Sequence, residues 1–91
     1  MLFSRRAHMQ KEQIAIITEF ITMDKLLKFS GVADTGGQAF LMVEDGIIKL
    51  NGKLVTEKRK KVFPGDIVNI DNQIELTITK ETIWRLQAYM W

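Results

Sequence analysis

Cysteine is absent from this chain of 91 residues. Disulfides and thiolate metal sites are thereby excluded, and a reducing compartment is the default setting. Histidine occurs once, as His8 in a polar N-terminal stretch. One histidine builds neither a catalytic relay nor a histidine metal cluster. The sequence also lacks paired carboxylates in a recognisable frame and a nucleophile with a companion base. A non-enzymatic protein with no cofactor, no catalytic set and no metal site is the expectation. Long apolar runs are missing too. The longest, Ile14 to Ile21, contains Glu19, is too short to span a membrane and follows no recognisable signal sequence. A soluble, cytoplasmic protein with no membrane partner is expected. Proline occurs once and glycine six times, while 46% of the residues are apolar, which is ordinary for one small globular domain and too apolar for a disordered chain.

The formal net charge is only +2, but its distribution is uneven. Between Lys53 and Lys61 stand five basic residues, Lys53, Lys58, Arg59, Lys60 and Lys61, against the single acid Glu57. The rest of the chain carries slightly more acid than base. A concentrated basic patch on a near-neutral body is the footprint of a polyanion binder. A solvated loop with clustered lysines is the competing reading on charge alone.

Residues 1–12 read as a flexible leader, and translation can equally begin at Met9. Residues 13–79 read as the domain and residues 80–91 as a tail. Ile14 to Ile21, rich in β-branched residues, predicts a strand. Thr22 offers an N-cap for a helix through about Phe29, with Met23, Leu26 and Leu27 inward and Gly31 as its stop. A second helix is expected from Gly36 or Gly37 to Asp45, capped by Asp34 or Thr35, with Ala39, Met42 and Val43 inward and Gly46 as its end. Ile47 to Leu50 is a predicted strand, and Asn51-Gly52 is a strong hairpin signal. Lys53 to Val55 starts the return strand, and the basic loop follows. Pro64-Gly65-Asp66 reads as a turn, and Ile67 to Ile70 and Ile74 to Thr79 as strands joined at Asp71-Asn72. The tail, Lys80 to Trp91, fits an amphipathic helix with Ile83, Leu86 and Met90 on one stripe. The class is α+β: two short helices packed on a small, twisted, mostly antiparallel sheet.

Three stretches carry a resemblance: Leu26 to Ala39 (LLKFSGVADTGGQA), Val43 to Gly52 (VEDGIIKLNG) and Arg59 to Val68 (RKKVFPGDIV). In this order and spacing they resemble the ribosomal-protein-S-four-type RNA-binding domain, the αL motif. The Thr-Gly-Gly-Gln-Ala run and a strand ahead of the helix pair resemble the small stand-alone bacterial proteins of the YaaA/YbcJ type. The resemblance covers about residues 18–79. It implies binding of structured RNA, ribosomal or transfer RNA, by a two-helix unit and a β-hairpin with basic residues on one exposed face. It also implies a module that carries no chemistry of its own. One departure stands out: Phe40 follows Gln38-Ala39 where the resemblance implies Lys. Phe40 either packs against the core or presents a ring for stacking.

Candidate RNA-binding residues follow from the basic patch and from this resemblance. Lys58, Arg59, Lys60 and Lys61 form the basic loop, with Arg59 suited to a bidentate phosphate contact because its planar fork matches two oxygens. Lys25 and Lys28 on the first helix, and Lys49 and Lys53 flanking Asn51, extend the surface. Thr35, Gly36, Gly37 and Gln38 offer backbone N–H groups at the start of the second helix, where a phosphate meets the positive end of the helix dipole. The bland alternatives are a glycine pair that only lets helices pack closely, an Asn51 that only turns the chain, and a Lys49 that only faces water. The aromatic residues do not alternate with basic ones along any strand, so duplex or otherwise structured RNA is favoured over single strands. A protein-interaction adaptor of the same fold, meeting an acidic partner through the loop or any partner through the apolar tail, is the alternative.

Overall fold

The structure is a computed structural model, and it describes residues 9–81. Strand β1 (Gln10–Ile16) places Ile14 and Ile16 inward, while Gln13 and Ala15 face out. The strand expected over Ile14 to Ile21 is thus shifted towards the N-terminus and broken. Residues 10–12, read as leader, lie in β1 because they pair with the last strand of the domain, a partner far away in sequence. The break follows at Ile17, and the Thr18 hydroxyl donates to the Phe20 carbonyl at 2.9 Å, a local bond that competes with a continuing ladder. A two-residue strand β2 (Ile21–Thr22) then leads directly into helix α1 (Met23–Phe29).

Met23, Leu26 and Leu27 are buried on α1, as their spacing predicts. Thr22 holds the N-cap position but its side chain makes no capping bond, contrary to the sequence expectation. The Met23 N–H instead donates to the Lys60 carbonyl at 2.8 Å. Gly31, with φ of +83°, ends the helix, and its N–H donates to the Lys28 carbonyl. Helix α2 (Gly36–Glu44) buries Ala39 and Val43 and half-buries Met42.

The remaining strands are β3 (Ile48–Leu50), β4 (Lys53–Leu54), β5 (Lys61–Val62), β6 (Ile67–Ile70) and β7 (Ile74–Lys80). Asn51 and Gly52 both have positive φ and close the two-residue β3–β4 turn. Asp71 and Asn72 also have positive φ, in the three-residue connection 71–73 between β6 and β7. The main sheet has the order β1-β7-β6-β3-β4. It is antiparallel except for β1 and β7, which run parallel with Gln10 opposite Ile74 and Ile16 opposite Lys80. β2 and β5 form a separate antiparallel pair, so the basic segment is not all loop: Lys61 lies opposite Thr22. The core joins the inner faces of both helices to Ile48, Val68, Leu76 and Ile78 of the sheet. The two-helix, mostly antiparallel α+β architecture is the expected one. Of the expected C-terminal helix, Lys80 belongs to β7 and residues 82–91 lie outside the described part.

Candidate nucleic-acid interface

The basic segment is a strap fastened at both ends. Val55 and Val62 are buried, and the Val55 N–H donates to the Ile48 carbonyl at 2.9 Å. Between them the chain crosses the start of α1, where Lys60 gives its carbonyl to Met23. The strap's backbone is therefore held by the fold, while its side chains point to solvent. Lys58 alone is half-buried; Arg59, Lys60 and Lys61 are exposed.

Each cation on the strap has a weak partner of its own. Lys58 Nζ lies 3.0 Å from Glu44 Oε2 and 5.2 Å from the centre of the Phe40 ring. Arg59 Nε lies 4.0 Å from Asp24 Oδ2, with its side chain 76% exposed. Lys60 Nζ is 3.9 Å from Glu57, and Lys61 Nζ is 4.7 Å above the Phe20 ring. The Lys58–Glu44 and Lys60–Glu57 pairs are open to solvent on both sides and worth about 0–1 kcal/mol each, whereas the Asp24 side chain is only 15% exposed. Such exposed partners fix where Lys58 and Lys60 stand and release them at small cost, while Arg59 faces the largely buried Asp24 carboxylate. Phe40 is half-buried beneath Lys58, so the strap brings a positive charge to this position of α2.

The other candidates fall on different faces. Lys25 and Lys28 are exposed on α1. Lys53 lines an open hollow together with Lys60, between β4 and the strap. Lys49 lies elsewhere: it shares another hollow with Asn69 and Glu75 of β6 and β7. The Asn51 side chain is occupied by the fold. Its amide donates to Asp66 Oδ1 at 3.1 Å, and its carbonyl accepts from the Ile67 N–H at 2.9 Å, tying the β3–β4 turn to the Pro64-Gly65 turn.

The start of α2 is self-contained. Thr35 Oγ1 accepts from the Gln38 N–H at 3.1 Å, and Gln38 Oε1 accepts from the Asp34 N–H at 2.7 Å. This is a variant of the capping box, which the T-x-x-Q spacing signals in the sequence. A Cβ at Gly36 would meet nothing within 4 Å, and one at Gly37 only Thr35 Oγ1 at 3.9 Å. Close helix packing is therefore not what these glycines serve. At 1.5 Å per residue, Gly36 lies about 12 Å along α2 from Glu44, where Lys58 docks. The glycine pair and the strap are thus at opposite ends of the helix.

Several neighbours of the strap carry no sequence signal. Phe20 and Phe63 meet with ring centres 5.8 Å apart. Lys80 Nζ donates to the Thr18 carbonyl at 3.2 Å. Thr22 Oγ1 and Asp24 Oδ1 are buried at the crossing with no hydrogen-bond partner among the described residues. Only the β2–β5 and β1–β7 pairings bring these groups to the strap's side of the molecule.

A two-helix unit, a following hairpin and a basic strap across the helices define the arrangement. A family model described as the S4 domain matches residues 14–79, from the middle of β1 to the end of β7. The chain belongs to the S4 domain family. No curated protein matches it. S4 domains are RNA-binding domains and generally non-enzymatic. In this S4 domain the strap is the densest positive feature. Among the described residues, no helix is long and apolar enough to cross a membrane, and no group of three or more His, Cys, Asp or Glu is placed to hold a metal ion.

Proposed function

We propose that this S4 domain binds structured RNA, ribosomal or transfer RNA, through phosphate and shape contacts and without catalysis. One observation carries the reading: the strap's backbone is pinned across α1 by the Lys60–Met23 bond and the β2–β5 pair, while Arg59, Lys60 and Lys61 remain exposed. A preformed row of cations meets a preformed row of phosphates with little ordering cost. Lys58, Arg59, Lys60 and Lys61 are the central contacts, and Arg59 is the bidentate one. Lys25, Lys28 and Lys53 flank them. The N–H groups of Gly36 and Gly37 are a separate, smaller contact, because Gln38 is engaged in the cap. Lys49 and Asn51 drop out of the proposed surface, the first facing Glu75 across the sheet and the second locked in its turn. The cytoplasm, where rRNA and tRNA are found, and a bacterial source of the YaaA/YbcJ type are part of the same proposal.

Filter binding to a structured RNA across a salt series tests it. Neutralising about five phosphates gives a slope of log affinity against log salt of roughly −3 to −5. A flat salt response, or capture of acidic proteins that survives nuclease treatment with no retention of RNA, overturns it in favour of a protein adaptor.

A further inference from the structure

We propose that the hollow lined by Phe20 and Lys25, together with the exposed Phe63 ring that adjoins Phe20, seats one unpaired nucleotide of the bound RNA, its base stacked on Phe63 and its flanking phosphates held by Lys61 and Lys25. The proposal rests on the RNA-binding reading and names a feature of the RNA that the strap alone does not select. Phe63 follows the buried Val62, yet its own side is 44% exposed. Phe20 lies half-buried beside it, with the rings tilted by 46°. Rings at that angle cannot both lie flat on one base, so Phe63 is the stacking face and Phe20 closes one side.

Cations surround the pair. Lys61 Nζ stands 4.7 Å over Phe20, and Lys25 lines the same hollow as Phe20. Lys80 reaches the Thr18 carbonyl at the hollow's rim. The turn after Phe63 is bonded to β7 through the Gly65 N–H and the Ile78 carbonyl, two residues before Lys80. Against these three ammonium groups stand the half-buried Asp66 carboxylate, whose Oδ2 accepts from the Phe63 N–H at 2.8 Å, and the exposed Glu19 carboxylate, which lines the hollow. Glu19 repels a phosphate but accepts a hydrogen bond from a base amino or imino group, which suits the base end of a nucleotide. Aromatic rings set among lysines are the composition of a stacking platform for unpaired bases. Here the interleaving exists only in space, because the contributing residues come from the bend after β1, from α1, from β5 and the residue after it, and from β7. Two rings, one of them half-buried, give room for one base rather than a strand.

The test compares a blunt RNA hairpin with the same hairpin carrying a single bulged fluorescent adenine analogue. The wild-type protein is expected to bind the bulged form about tenfold more tightly, and the analogue's fluorescence to fall as it stacks. Phe63→Ala, or Phe63→Leu if the alanine variant folds poorly, is expected to bring the affinity ratio close to one and to abolish the fluorescence change. Equal binding of both hairpins by the wild type overturns the nucleotide seat and leaves the RNA reading standing. Retention of neither hairpin overturns both.

Discussion

The two helices of this domain both begin just after a threonine, and they are started in opposite ways. Thr35 and Gln38 cap α2 with bonds confined to five consecutive residues. Among the described residues the Thr22 hydroxyl is buried without a partner, and the first N–H of α1 is taken by Lys60 from the strap. One helix start is written locally, while the other exists only once the strap has docked. The difference separates stability from function: α2 supports itself, whereas α1 and the proposed RNA surface are one assembly.

The largest effect expected bears on how α1 is held. Leu27→Ala, at a fully buried position, should cost about 2–5 kcal/mol in urea unfolding. Next comes the strap. Replacing Arg59, Lys60 and Lys61 together by Ala removes charge and keeps the Lys60 carbonyl. The circular-dichroism spectrum should stay unchanged while RNA affinity falls on the order of a hundredfold, about 2.8 kcal/mol. Loss of the folded spectrum in this variant would show that the strap's side chains, and not only its backbone, start α1. Thr35→Ala should destabilise by about 1 kcal/mol, because it deletes a real cap. Thr22→Val should be neutral or stabilise by up to about 1 kcal/mol, since the hydroxyl it removes is buried without a bond. Equal losses at the two threonines in thermal unfolding would erase the contrast between the helix starts.

What the sequence made legible follows the same division. Both helices, their inward faces and the Asn51-Gly52 and Asp71-Asn72 turns are carried by neighbouring residues, and they stand where expected. The capping box of α2 was equally local, in the T-x-x-Q spacing. The first strand is legible only in part, because Gln10, Lys11 and Glu12 have no strand-forming character of their own and are strand only against β7. The β2–β5 pair, two residues on each side, leaves no periodic trace. The site divides likewise. The strap's charge was plain in the composition, but its attachment to α1 was not. The absence of aromatic–basic alternation along any strand argued against base stacking, yet Phe20, Phe63, Lys25 and Lys61 converge across the fold. Conversely, Asn51 looked available in sequence and is spent on joining two turns.

The parallel pairing of β1 with β7 also sets an order of events in synthesis. Among the described strands, β1 leaves the ribosome first and its partner β7 last. Until β7 emerges, Ile14 and Ile16 have no ladder to enter and no sheet to cover them. Helix α2 and the β3–β4 hairpin involve near neighbours and can form meanwhile, and α1 can follow once the strap has emerged. The nascent domain therefore carries an unmatched strand through most of its production, and closing it requires the longest loop the fold contains. Of the described ladders, the one that joins the two ends of the domain is therefore the last that synthesis allows to close.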